Sequence, residues 1–193
     1  MNTIDPIETA LQVSRLLDEL NIQHTIGGSV ASSFAGEPRS TLDIDVIAAV
    51  DERDVESLVA AFSPDFYVDA AALRRAIRTH ASTNLIHQRT QLKVDLFVAG
   101  GTPLDASQLA RRLRVDLGGG RHLYVHPPED ILLQKLRWYH QGGAVSDRQW
   151  RDIAGIVRVQ AGRLDVGYLR ENARVLGVSD LLERALGERD PAP

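Results

Sequence analysis

Between Ile26 and Val46 the chain reads Ile-Gly-Gly-Ser-Val-Ala-Ser-Ser-Phe-Ala-Gly-Glu-Pro-Arg-Ser-Thr-Leu-Asp-Ile-Asp-Val. The short apolar piece that leads into Gly27-Gly28-Ser29 reads as the end of a strand. Ser29 to Phe34 are small residues suited to a short helix packed close behind the glycines. Gly36, Pro38 and Ser40 then break that helix. Leu42 to Ile47 follows as a strand, by its β-branched content and its alternation. Side chains along a strand point to alternate faces, so Asp43 and Asp45 share one face while Ile44 and Val46 take the other. Two carboxylates on one face repel each other. A divalent cation between them relieves that repulsion, and oxygen ligands of this kind suit Mg²⁺.

A third acid strengthens the reading. Gln91 to Ala99 runs Gln-Leu-Lys-Val-Asp-Leu-Phe-Val-Ala, which places Asp95 inside an otherwise apolar strand. An ionised carboxylate in such a setting is costly unless it is paired or holds a metal. If this strand lies beside the Asp43 strand, three carboxylates converge, which is the layout of a two-metal phosphoryl-transfer site.

Gly-Gly-Ser, then Asp-Ile-Asp, then a later strand Asp resembles the nucleotidyltransferase superfamily of DNA polymerase β type. The run Arg39-Ser40-Thr41-Leu42-Asp43-Ile44-Asp45 is most similar to the branch that holds the AbiEii-type toxin enzymes and the aminoglycoside nucleotidyltransferases. The resemblance extends to Pro128-Glu129-Asp130 with Lys135, and to Ser146 through Ile153. In the last segment the chain departs from the branch, because Asp147-Arg148 precedes Asp152. The motifs span roughly Ile26 to Ile153.

The resemblance implies an α+β fold: a small mixed β-sheet nucleotidyltransferase core flanked by helices, followed by a C-terminal helical part. We expect the core over residues 1–126 and the helical part over 127–193, with the substrate held in the cleft between them. It implies Asp43, Asp45 and Asp95 as catalytic residues and Mg²⁺ ligands. Asp43 and Asp45 would hold the metal against the phosphates of an NTP. Asp95 would ligate a second metal or accept the proton of the attacking hydroxyl. Gly27, Gly28 and Ser29 would let backbone N–H groups approach the phosphates at a helix start. Arg39, Thr41 and Lys135 complete the expected nucleotide-binding set. The acceptor stays open among RNA (tRNA 3′ ends in particular), a protein hydroxyl and an aminoglycoside. The toxin-like branch also implies an antitoxin protein as a partner. A catalytically silent domain that only binds nucleotide, RNA or a partner protein is the competing reading.

Bulk properties set the frame. A chain of 193 residues with 44% hydrophobic and 25% charged residues is long enough for a sizeable core and ordinary in composition. It carries no apolar run long enough for a bilayer and no signal-peptide pattern, so we expect no membrane partner and a cytoplasmic setting. With no cysteine, disulfide and thiol chemistry are excluded. The net charge of −4 is unevenly spread, −6 over residues 1–100 and +2 over 101–193. An acidic half beside a mildly basic one suits a polyanionic substrate, and solvated helix faces give the same numbers. Lys93 and Lys135 are the only lysines.

Elsewhere the pattern is of alternating short elements. Asp5-Pro6-Ile7-Glu8 opens a helix that Asn21 ends. Asp51, Asp69, Ser146, Asp165 and Ser179 are read as further helix caps. Phe66–Val68 and Ser82–His87 read as strands, and Leu104–Leu113 as a helix. Leu113–Leu117 and His122–Val125 are read as a two-stranded ribbon around the turn Gly118-Gly119-Gly120. The turn lacks the Lys-Ser/Thr of a phosphate loop. Arg74, Arg75 and Arg78 cluster on one helix and are read as a solvated face before a phosphate guide. Asp147 and Asp152 are expected to pair with Arg148 or Arg151. His80, His87, His122 and His126 show no metal spacing and are read as structural or surface residues. The tail from Gly187 is polar, holds two prolines and is expected to be loose.

Overall fold

The computed structural model describes residues 5–36, 42–100 and 103–188. Arg39, Thr41 and most of the expected loose tail lie outside them. The contacts divide the chain into two compact units, Met1–Val30 with Ser40–His126 and Ala31–Arg39 with Pro127–Pro193, each formed by the described residues within those bounds.

In the first unit helix α1 (Pro6–Glu19) starts where the local signals put it. The Asp5 carboxylate accepts from the Ile7 amide at 2.9 Å, and Pro6 stands in the first turn. The described residues then hold seven strands: β1 (His24–Ile26), β2 (Asp43–Ala48), β3 (Phe66–Val68), β4 (Ser82–His87), β5 (Lys93–Val98), β6 (Leu113–Asp116) and β7 (His122–Val125). They form one mixed sheet in the order β3-β4-β5-β2-β1-β7-β6. The pairs β2–β5 and β1–β7 are parallel, and the other neighbours are antiparallel.

Helix α3 (Val55–Phe62) follows a capping box at Asp51, in which Asp51 accepts from the Arg53 amide and donates its own N–H to Asp54. Helix α4 (Ala70–Thr79) is capped by Asp69, which accepts from Ala71 and Ala72. The arginines of α4 tie it to the preceding segment: Arg74 pairs with Glu56, and Arg78 with Glu52 at 3.2 Å. The face read as solvated is thus one on which Arg74 and Arg78 are engaged by carboxylates. Helix α5 (Pro103–Ala110) stops short of the expected Leu113, because Leu113 pairs with Val125 as the first residue of β6.

Helix α2 (Gly28–Ala35) leaves the sheet at the glycines. From Ala31 onward it belongs to the second unit, with α6 (Pro128–Gln141), α7 (Asp147–Val159), α8 (Val166–Leu176) and α9 (Ser179–Gly187). Ser146 and Asp165 cap α7 and α8 as expected. Ser179 does not cap α9. It is the first helical residue, Val178 precedes it, and no side chain caps that end. Buried Leu132, Leu136, Ile153, Ile156, Leu169 and Leu182 form the apolar interior of this unit. Among the described residues no helix is long and apolar enough to cross a membrane.

Candidate active site

The site is built by two parallel strands in register. Asp43 stands opposite Lys93, Asp45 opposite Asp95, and Ile47 opposite Phe97. Alternation puts these six residues on one face of the sheet. The other face carries Ile44, Val46 and Ala48 with Val94, Leu96 and Val98, all buried. The first face is split along its length. Its far end is apolar, with Ile47, Ala99 and Leu109 packed together and Phe97 against them. Its near end carries Asp43, Asp45 and Asp95, so the carboxylates lie where the apolar cover from α5 stops. On the outer side β4 places Asn84 opposite Asp95.

The glycines close the near end. Ile26 pairs with Val46, and the Gly27 amide donates to the Asp45 carbonyl at 2.8 Å. Gly28 then takes φ +53° to begin α2. A Cβ at Gly28 would land on Asp45 Oδ2 and stand 2.6 Å from its Cγ. Only glycine fits both the left-handed backbone and that contact. Ser29 is half-buried in the first turn of α2. The start of a helix concentrates unpaired N–H groups and the positive end of the helix dipole, which suits the carboxylate held against it and equally a phosphate.

Lys93 is the residue that sequence reading left out of the site. Its ammonium lies 2.8 Å from Asp95 Oδ2 and 3.7 Å from Asp43 Oδ1. The hydrogen bond to Asp95 raises the Lys93 pKa above its ordinary value, and the charges of Asp95, Asp43 and Asp45 add to that rise. Its signal was present: Lys93 precedes Asp95 by two residues and so shares its face. Among the described residues no three His, Asp or Glu side chains already enclose a metal position. The donor set is nevertheless one of hard oxygens that suits Mg²⁺, and an ammonium stands in for a cation between two of its members.

His126 was read as structural or surface and is fully buried. It follows β7 directly, beside the glycine turn, and its amide donates to the Ile26 carbonyl at 3.0 Å. A Cβ at Gly27 would stand 3.4 Å from His126 Nδ1. Neither ring nitrogen has a hydrogen-bond partner among the described residues. Burial alone pushes this imidazole down to about 4, so the ring is neutral near pH 7.

Lys135 stands in the second unit. It is buried on α6, and its Nζ donates to Asp152 Oδ2 on α7 at 2.9 Å. Asp152 thus has a partner on the neighbouring helix that the sequence reading, with Arg148 and Arg151 in view, did not name for it. Two further acids of α6 are engaged nearby in the chain: Glu129 accepts from the Asp165 amide at 2.9 Å, and Asp130 accepts from the Tyr168 hydroxyl at 2.6 Å.

No protein-family model and no curated protein matches the chain. Solved structures do, and they define the class: the fold is nucleotidyltransferase-like. An antigenic nucleotidyltransferase-like protein from Paracoccidioides brasiliensis matches with a TM-score of 0.58 at 22% identity, over 98% of this chain and 95% of that one. The antibiotic-resistance factor ANT(2'')-Ia matches with a TM-score of 0.56 at 15% identity, over 94% and 97% of the two chains. Its complex with adenylyl-2''-tobramycin matches with a TM-score of 0.53 at 14% identity, over 88% and 97%. At these identities the likeness is one of fold.

Proposed function

We propose that this chain is a metal-dependent nucleotidyltransferase that moves a nucleoside monophosphate from an NTP to an acceptor hydroxyl. The acceptor oxygen attacks the α-phosphorus, the bond to the β-phosphate bridging oxygen breaks, and pyrophosphate leaves. The observation that carries the reading is the register of Asp45 with Asp95 on adjacent parallel strands, two residues along from Asp43, with the glycine turn set against Asp45. Three acids kept on one face at a helix start are costly for stability and useful for holding Mg²⁺ and an NTP.

In this reading Asp43 and Asp45 hold Mg²⁺. Asp95 shares a metal or takes the proton of the attacking hydroxyl. Bound Mg²⁺ supplies neutralisation of phosphate charge and orientation of the phosphates. Gly27, Gly28 and Ser29 present backbone N–H groups to the triphosphate. Arg39 and Thr41 precede Asp43 in the sequence and belong to the proposed phosphate contacts through the motif resemblance. Lys135 moves out of the argument for a free phosphate ligand, since its ammonium is engaged by Asp152.

For the acceptor we favour RNA, tRNA included, as in the AbiEii-type toxin branch, with an antitoxin protein as the matching partner. The support is the basic balance of residues 101–193 and the exposure of Arg137, Arg148 and Arg151. Phosphate contacts by such residues make binding fall steeply as salt rises. The second reading is an antibiotic hydroxyl, favoured by the match to ANT(2'')-Ia, solved with adenylyl-2''-tobramycin. Incubation with each labelled NTP, Mg²⁺ and either total RNA or an aminoglycoside panel decides between them. RNA labelling supports the first, and labelling of the drug alone replaces it with the second.

A further inference from the structure

We propose that Lys93 is a resident counter-cation that keeps the carboxylate site closed to metal until a nucleotide arrives. The inference rests on the nucleotidyltransferase reading above and deepens it. Lys93 contacts Asp95 at 2.8 Å and lies 3.7 Å from Asp43, so one ammonium spans carboxylates of both strands. The register fixes this: Lys93 is the β5 partner of Asp43, and two residues on, the same face carries Asp95. The Asp95 side chain is only 18% exposed, so the charge-assisted hydrogen bond from Lys93 is partly shielded from water. A metal that takes up Asp95 Oδ2 must displace that ammonium, and one on the other carboxylate oxygen is repelled by its like charge.

A displaced ammonium needs a new anionic partner. Lys93 is 41% exposed, on a flexible four-carbon stem at the open end of the site. A triphosphate bound with the metal offers such a partner, and water offers a weaker one. Metal and nucleotide therefore bind with positive coupling, and Lys93 carries part of it. By linkage, each tightens the other by the same factor. Metal alone is held back, so the site is not filled without substrate.

The test is Mn²⁺ binding followed by electron paramagnetic resonance, on the whole chain, with and without a non-hydrolysable NTP analogue. The proteins are wild type, Lys93→Met and Lys93→Arg. In Lys93→Met, Mn²⁺ alone is expected to bind about tenfold more tightly than in wild type, the worth of one hydrogen bond to a charged group. Its coupling to the analogue is expected to shrink by a similar factor. Lys93→Arg keeps a cation in place and is expected to retain the weak binding of Mn²⁺ alone. If Lys93→Met binds Mn²⁺ alone no tighter than wild type, while both bind it with the analogue, the counter-cation role is overturned and the metal site stands. If neither protein binds Mn²⁺ with or without the analogue, the metal-site reading falls and takes this inference with it. Thermal melts settle the case of a variant that folds poorly. The inference predicts that Lys93→Met loses melting temperature without metal and regains it with Mn²⁺. A loss that Mn²⁺ does not restore assigns Lys93 a structural role only and overturns the inference.

Discussion

The α-carbon of Gly28 lies so close to the Asp45 carboxylate that no β-carbon fits between them, and the backbone there is left-handed at φ +53°. The glycine turn and the acidic strand are therefore one unit: the turn can adopt its shape only because residue 28 has no side chain, and Asp45 is held by that turn. Gly28→Ala is expected to cost roughly 2–4 kcal/mol, from the backbone penalty and the overpacking together. It is also expected to remove nucleotide transfer by shifting Asp45. Urea unfolding beside a transfer assay checks both; a stable, fully active Gly28→Ala protein contradicts the account.

His126 makes stability depend on pH. Its folded-state pKa, about 4, lies below the unfolded value of 6.5. The unfolded chain thus binds a proton first as pH falls, and the stability is fully present above pH 6.5. It is lost as pH falls from about 6.5 towards 4, by up to about 3 kcal/mol. His24 and His87 are also lowered by burial, so the contribution is read as the difference between wild type and His126→Leu in urea titrations at pH 7, 5.5 and 4.5. Parallel profiles for the two proteins rule it out.

The Lys135–Asp152 pair is buried, with side chains 8% and 16% exposed. Removing Asp152 takes a carboxylate away from a buried ammonium, so Asp152→Leu is expected to destabilise by about 3 kcal/mol. The double variant Lys135→Met with Asp152→Leu is expected to recover a large part of that loss. A double variant no more stable than the worse single variant shows that the two residues act independently.

The same-face placement of Asp43 and Asp45 was legible because strand alternation is local. The caps at Asp5, Asp51, Asp69, Ser146 and Asp165 were legible for the same reason: each needs only a side chain and the next few amides. Partners distant in sequence were not. Nothing near Asp45 announces that its register neighbour is Asp95, because that pairing depends on where the β4–β5 hairpin sets β5 against β2. Asp152 looked like a partner for its helical neighbours Arg148 and Arg151, and only the packing of α6 on α7 brings Lys135 to it. Leu113 reads both as the end of a helix and as the start of the ribbon, and its pairing with Val125 decides for the sheet. His126 was read as structural or surface, and sequence does not choose between the two: the choice is made by the position just past β7, which buries the ring against Gly27.

The central claim is that the acidic face of β2 and β5 performs metal-dependent nucleotide transfer, and Asp45→Asn tests it most directly. The substitution keeps the shape beside Gly28 and removes one charge from a crowded acidic face, so folding stability should hold or rise slightly. Wild type and Asp45→Asn are given labelled NTP, Mg²⁺ and cell extract, and label in acceptor is measured with circular dichroism as the folding control. The account predicts Mg²⁺-dependent labelling by wild type and none above background by a fully folded Asp45→Asn. Labelling by Asp45→Asn at the wild-type rate would contradict it.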